Sequence, residues 1–334
     1  VALALVIAYA MASPLPHLAP IFAWLLTMEP KKPLGFKGLL VLVPVTALTT
    51  GTGLLMIPLL SGYPATAILV VLIALFFSTY LSVSLGQVTV GMLLTIGITL
   101  ISAVGTVSFV AAIGVINGFL MAIVISISSQ WLVYPLFPED PVSLEPPAEQ
   151  VGNEYALWIS VRTTLIVIPV YLLCLTNPLM YTALILKSVS LGQQSTVGDT
   201  KAAAKVLLGS TLMGGVLAIL FWFALKLNVS LWMFFLWMLL IGIGVAAKIY
   251  GLRASKYSVD FWSTALVTML ILLGPAVADS ANGKDVYQAF AVRMSLLFAV
   301  AIYAWITVLA LDQLRVRLRR GSSSLSATSA TING

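Results

Sequence analysis

Long apolar stretches, interrupted by short polar segments, follow one another along almost the whole chain. A helix needs about 20 apolar residues to cross the hydrocarbon core of a bilayer. Helices also satisfy their own backbone hydrogen bonds, which lipid cannot do for them. The pattern therefore predicts an all-α integral membrane protein with about twelve transmembrane helices. The predicted helices are residues 1–12, 15–28, 38–60, 65–82, 88–104, 109–136, 155–175, 179–191, 203–226, 230–247, 261–277 and 287–311.

The apolar pattern occurs twice. Matching residues in the two copies are separated by a constant 164 positions along the chain. We therefore predict two six-helix membrane repeats, residues 1–136 and 155–314. The matching pairs are Pro14 and Pro178, Ala19 and Ala183, Ile21 and Ile185, Lys37 and Lys201, and Gly51 and Gly215.

Two segments lie outside the predicted repeats. Residues 137–154 hold four prolines and five acidic residues, which predicts an extended, solvated cytoplasmic linker. Residues 315–334 begin with basic residues and continue with Gly, Ser, Thr and Ala, which predicts a disordered cytoplasmic tail. The first helix, 1–12, is too short to span a bilayer, so we expect its beginning to precede Val1.

The distribution of Lys and Arg predicts the orientation in the membrane. With the N-terminus inside, the inside loops carry 13 of the 17 Lys and Arg residues, and Lys187 is counted among them. The positive-inside rule then places both chain termini in the cytoplasm. Six helices per repeat give both repeats the same orientation, so we predict a parallel repeat about an axis along the membrane normal.

The helices predicted at 15–28 and 179–191 are too short to span the membrane, because 13 or so residues extend only about 20 Å. Each follows a proline, and they occupy matching positions in the two repeats. Paired short helices of this kind point to the substrate site of a transporter. The alternative interpretation is a pair of ordinary helices that are tilted.

Composition excludes several classes of protein. Of the 334 residues, 60% are hydrophobic and 8% are charged, whereas about 25% of residues are charged in a soluble domain. One Cys and one His allow neither a disulfide within the chain nor a multi-histidine metal site. The sequence also has no Gly-rich phosphate-binding loop ending in Lys and Ser or Thr. We expect no enzyme activity, no cofactor and no nucleic-acid partner.

Cations within the apolar stretches point to an anionic substrate. Arg162 and Arg293 lie inside predicted helices, where charges are costly and usually face the interior of a bundle. Lys187 ends the second short helix at its inner mouth. A guanidinium group suits a carboxylate, so all three are candidate substrate-binding residues. The structural alternatives are snorkelling to the interface, an ion pair, or, for Lys187, an ordinary inside anchor.

Hydroxyl and carboxylate groups complete the predicted site. Thr27 lies in the first short helix and Thr211 in the small-residue stretch 209–215; both are candidate substrate contacts, with close helix packing as the alternative. Glu29 and Asp260 are candidates for proton coupling, because a buried carboxylate can carry a proton. His17 is the lone histidine, for which an incidental position near the outer surface is the simpler interpretation.

The stretch 20–30, Pro-Ile-Phe-Ala-Trp-Leu-Leu-Thr-Met-Glu-Pro, together with the Gly51-Thr52-Gly53 helix, resembles the fusaric acid resistance (FUSC) and aromatic acid exporter superfamily. The helix led by Arg162 and the stretch 209–215 add to this resemblance. The overall plan is most similar to the DUF2955 branch, although the bulky cytoplasmic domain of the larger exporters is missing.

The resemblance implies a gradient-driven efflux permease of the bacterial inner membrane that exports aromatic or other hydrophobic organic acids. It also implies an HlyD-like periplasmic membrane-fusion protein as partner. Plant malate channels use a similar six-helix unit as a dimer, which keeps a passive anion channel and a homo-oligomer open. A membrane scaffold for an adaptor protein, without transport, is the third alternative.

Overall fold

The computed structural model describes residues 1–28, 33–138, 153–192, 205–283 and 285–332. Within these residues every regular element is a helix, which confirms the predicted all-helical class. We number the helices α1 to α12 and count a helix that contains a π-helical turn as one.

Six helices precede the linker and six follow it. The first six are α1 (Ala2–Ala10), α2 (Leu18–Thr27), α3 (Phe36–Gly62), α4 (Pro64–Ser84), α5 (Val88–Ile96, the π-helical turn Gly97–Ile101, and Ser102–Val107) and α6 (Phe109–Val133). The others are α7 (Asn153–Thr176), α8 (Pro178–Gly192), α9 (the π-helical turn Lys205–Gly209, and Ser210–Leu227), α10 (Leu231–Ile249), α11 (Val259–Ala281) and α12 (Val286–Ile332).

Nine of the described helices are long and apolar enough to cross a membrane, namely α3 to α7 and α9 to α12. Helix α2 and the central part of α8, Met180–Val189, are apolar but shorter, and α1 has nine residues. The chain is therefore built as a multi-pass membrane protein with nine candidate spans in its described part. The three shorter helices, α1, α2 and α8, are those that were predicted from the sequence to be too short to span.

Capping residues define several helix ends. Ser108, Ser230 and Ser258 precede α6, α10 and α11, and each hydroxyl accepts a bond from the backbone N–H three residues later. Such caps satisfy donors that a helix leaves free at its start. Gly86 and Gly251 follow α4 and α10 with φ angles of 65° and 73°, a left-handed conformation that ends helices and favours glycine.

Helices α2, α5, α8 and α11 form the centre of the bundle. Residues 18–24, 95–105, 183–189 and 261–274 are buried without interruption, and a helix that is buried on all sides lies inside a bundle. Helices α3 and α10, in contrast, expose large apolar side chains such as Leu48, Leu55 and Trp232. These outer faces suit contact with lipid.

The packing partners within the first six helices recur within the last six. Helix α3 packs against α5 and α6, and α9 packs against α11 and α12; α2 packs against α6, and α8 packs against α12. Between the two sets, α4 contacts α7 while α10 contacts α1, and α5 contacts α8 while α11 contacts α2. The two short helices therefore lie where the sets meet.

The structure differs from the prediction in the tail and at Lys187. Most of the predicted linker, 137–154, falls outside the described residues. Helix α12 continues to Ile332, through the tail that the sequence predicts as disordered; no proline interrupts it after Val286. Lys187, counted above with the inside loops, is buried within α8.

The close packing of α3 against α5 requires the glycine at position 53 but not the one at position 51. A Cβ atom at Gly53 would overlap the carbonyl oxygen of Gly97, whereas a Cβ atom at Gly51 would meet nothing within 4 Å. We expect Gly53→Ala to lower the free energy of unfolding by about 1–3 kcal/mol through overpacking. Gly51→Ala should leave it unchanged or raise it, because Ala favours a helix. Thermal unfolding in one detergent compares the two variants, and equal losses would contradict the close crossing.

Candidate functional site

The ammonium group of Lys187 lies inside the bundle. The side chain has no exposed surface, and its Nζ donates a hydrogen bond to the Thr268 hydroxyl at 2.6 Å. Thr268 donates in turn to the carbonyl oxygen of Thr264, also at 2.6 Å. The hydrogen bond from Lys187 to Thr268 therefore links the short helix α8 to the central helix α11.

The pair lies near the middle of a candidate membrane span, Val259–Ala281. Helix α11 has 23 residues and Thr268 is the tenth. At about 1.5 Å per residue, Thr268 lies about 14 Å from the start of the helix, close to half of a hydrocarbon core of about 30 Å. Lys187 is thus a fully buried cation beside the middle of a candidate span, whereas the sequence predicted it at the inner mouth of the short helix.

A small residue of α9 packs against Thr268, the hydrogen-bond partner of Lys187. A Cβ atom at Gly214 of α9 would lie 2.6 Å from both the Thr268 Cβ and the Ala265 carbonyl oxygen, so α9 approaches α11 at this level. Thr211, one turn before Gly214, is fully buried, and its hydroxyl donates to the carbonyl oxygen of Leu207 at 2.7 Å. The predicted residue Thr211 is thus buried one turn from the glycine of α9 that packs against Thr268.

Burial of Lys187 is energetically unfavourable. Inserting a lysine at the centre of a membrane helix costs about 2.5–3.5 kcal/mol on insertion scales. A hydrogen bond to a neutral hydroxyl offsets only part of that cost. Membrane-embedded ionisable residues of this kind mark ion and substrate pathways. Among the described residues, the ammonium group donates to the neutral Thr268 hydroxyl, so the arrangement can bind an anion as a counter-charge.

Arg162 is the second predicted cation that the structure buries. It lies in α7 with 5% of its surface exposed, and α7 packs along α8. The structure therefore places Arg162 and Lys187 on adjacent helices. Arg162 interacts with another residue, so it is not an isolated charge.

Arg293 makes the ion pair that was one of its structural alternatives. Its Nη1 forms an ion pair with the carboxylate of Asp279, which joins α12 to the last turns of α11. The sequence prediction missed Asp279, because the predicted helix stopped at residue 277 and left this carboxylate in a loop. The observed α11 continues to Ala281.

Of the other residues singled out in the sequence, Thr27 and Asp260 lie at helix ends. Thr27, at the end of α2, donates to the Ala23 carbonyl oxygen at 2.7 Å and lines a cavity of about 160 Å³ bounded by α1, α2 and α6. Asp260 is exposed in the first turn of α11, where a carboxylate stabilises a helix. Glu29 falls outside the described residues. His17 is buried, and its ring packs on Gly274 of α11.

The described helices and the buried cation define a multi-pass α-helical membrane protein with a polar centre. Residues 1–133 match the model of a family described as a protein of unknown function, DUF2955. This match agrees with the resemblance noted in the sequence, covers less than half of the chain and names no activity. No curated protein gives a significant match to the chain, and no solved structure does.

We expect the Arg293–Asp279 pair to stabilise the packing of α11 against α12. Arg293→Gln leaves a largely buried carboxylate without this guanidinium and should lower the melting temperature. Adding Asp279→Asn should restore part of the loss, with a coupling energy of about 1–3 kcal/mol between the two sites. Thermal unfolding of both single variants and the double variant measures this coupling. Strictly additive losses would show that the ion pair contributes nothing.

Proposed function

We propose that the protein is an export permease of the bacterial inner membrane that carries organic anions, with aromatic or other hydrophobic acids as the substrate class. The fully buried Lys187 ammonium carries this proposal. It gives the apolar centre one strong attraction for a carboxylate, while the surrounding side chains suit an apolar body.

The packing supports two repeats of six helices. Each contact described above within α1–α6 has a counterpart within α7–α12, and contacts between the sets are also paired. The 164-residue shift found in the sequence aligns the same helices. A substrate path between the repeats would therefore run along α2, α5, α8 and α11.

Contacts at the ends of α2 and α11 support a parallel orientation. Trp24, near the end of α2, donates its indole N–H to the hydroxyl of Ser263, near the start of α11, at 2.9 Å. Between the end of α8 and the start of α11 the chain crosses the membrane twice, through α9 and α10. The start of α11 therefore lies on the side on which α8 ends. The ends of α2 and α8 then face the same side, as parallel repeats require.

Lys187 is closed off from both sides of the membrane in this conformation, because none of its surface is exposed. Transport through this site then needs α8 or α11 to move and open it to one side at a time. An alternating permease has this property, whereas an open anion channel exposes its cations to water. This burial favours the permease over the passive channel.

The remaining parts of the proposal follow from the charge distribution and the resemblance. With both termini in the cytoplasm, an exported monovalent anion gains about 2.3 kcal/mol per 100 mV of inside-negative potential. The membrane potential or another ion gradient could therefore drive export. An HlyD-like periplasmic adaptor would carry the substrate onward. In the scaffold alternative, the protein holds that adaptor at the membrane and transports nothing itself.

Lys187→Met separates a functional from a structural role. We expect the variant to be more stable by about 1–3 kcal/mol, because a charge no longer has to be desolvated. Uptake of aromatic carboxylates into inverted vesicles should fall at least tenfold, since the anion loses its counter-charge. Thermal unfolding and vesicle uptake measure the two effects on the same preparation.

The matched control is Lys226→Met, which removes an exposed lysine bonded to the Tyr287 hydroxyl; it should keep full uptake. Wild-type uptake by Lys187→Met would refute the proposed site, and lost uptake with lowered stability would make Lys187 structural. Flux that passes as current without any gradient dependence would favour the channel. A wild-type protein with no uptake in the presence of its adaptor would favour the scaffold.

A further inference from the structure

The loop between α10 and α11 combines basic, aromatic and apolar side chains at the surface. Arg253 and Lys256 are exposed, and Leu252 is 85% exposed. Tyr250 and Tyr257 are 54% and 48% exposed. We call residues 248–258 the basic loop. It holds three cations, Lys248, Arg253 and Lys256, and no acidic residue; Asp260 follows it in the first turn of α11.

The basic loop has a defined conformation. Gly251 reverses the chain with a φ angle of 73°, and the backbone N–H of Arg253 donates to the Ala247 carbonyl oxygen at 2.9 Å. At the other end, the Trp262 indole N–H donates to the Ser255 hydroxyl at 2.8 Å. The Tyr257 ring stacks on Phe261 at 4.3 Å between ring centres. The exposed cations are thus held on an ordered support.

The basic loop must lie at the surface of the bilayer. It joins two candidate spans, Leu231–Ile249 and Val259–Ala281, and is too short to extend far from them. Exposed tyrosines and a leucine at this level suit the interfacial region of a membrane. Lys248, the last basic residue of α10, stays close to the loop because its ammonium lies 3.7 Å from the centre of the Trp262 ring.

We propose that the basic loop binds the headgroup of an anionic phospholipid. Arg253 and Lys256 would contact the phosphate, and Leu252 would enter the interfacial region beside the acyl chains. Each basic residue near a membrane surface attracts anionic lipid by an amount that corresponds to about a fivefold change in affinity. A lipid explains the exposed Leu252 together with the charges, whereas a soluble acidic partner would explain the charges alone.

Bound lipid would lie at the end of the bundle where the short helix α2 ends. The Tyr250 hydroxyl donates to the carbonyl oxygen of Thr27, the last residue of α2, at 3.4 Å. Ser263, which follows Trp262 in α11, accepts the hydrogen bond from Trp24 of α2. The basic loop is therefore joined to the meeting point of the two helix sets, whatever the substrate is.

Native mass spectrometry of the full chain in detergent tests the proposal, with phosphatidylglycerol and phosphatidylcholine of identical acyl chains as probes. We expect wild-type protein to prefer phosphatidylglycerol. The double variant Arg253→Gln with Lys256→Gln should bind it about thirtyfold more weakly and should bind phosphatidylcholine as before. Leu252→Ser should weaken binding of both lipids.

Lys226→Gln removes one exposed charge elsewhere and is the matched control for non-specific attraction. Thermal unfolding without lipid verifies that the variants are folded, and phosphatidylglycerol should raise the melting temperature of wild type more than that of the double variant. The proposal is overturned if the double variant keeps wild-type affinity for phosphatidylglycerol. It is equally overturned if wild type binds both lipids alike, or if Lys226→Gln loses as much affinity per charge removed.

Discussion

The hydrogen bond from Lys187 to Thr268 is the interaction around which the centre of this bundle is arranged. An ammonium group in an apolar environment needs acceptors, and the described structure provides one hydroxyl at 2.6 Å. To make that contact, α8 has to lie inside the bundle, against α11. Gly214 of α9 gives α9 and α11 the room to pack closely at the same level. The burial that makes the lysine unfavourable for stability is also what gives it a strong attraction for an anion.

The two short helices present different chemistry at matching positions. The 164-residue shift pairs Lys187 and Ser188 of α8 with Ala23 and Trp24 of α2. Both helices bond to α11: the lysine to Thr268 in the middle, and the Trp24 indole to Ser263 near one end. Helix α11 thus connects an ammonium group from one helix set with an indole N–H from the other. A bundle with similar halves can in this way hold one asymmetric polar centre.

Much of the fold could be predicted from the sequence, and parts of the site could not. The short helix predicted at 179–191 is observed as Pro178–Gly192, because length and apolar pattern reveal membrane helices directly. An ion pair was among the alternatives for Arg293, but its partner was missed because Asp279 lies past the predicted end of α11, and helix ends are the least certain part of such predictions. Thr268 was missed because a threonine in an apolar helix carries no signal of its partner.

The sequence by itself determined the class of protein, since lipid as a solvent imposes length, polarity and helical backbone on every crossing segment. It also determined which segments correspond, through residues that recur at one spacing. Only the tertiary structure decided that Lys187 points inward to Thr268, 81 residues further along the chain, and that Arg293 is paired. Those outcomes depend on the rotation of each helix about its axis and on its neighbours, and neither is contained in the local pattern of apolar and polar residues.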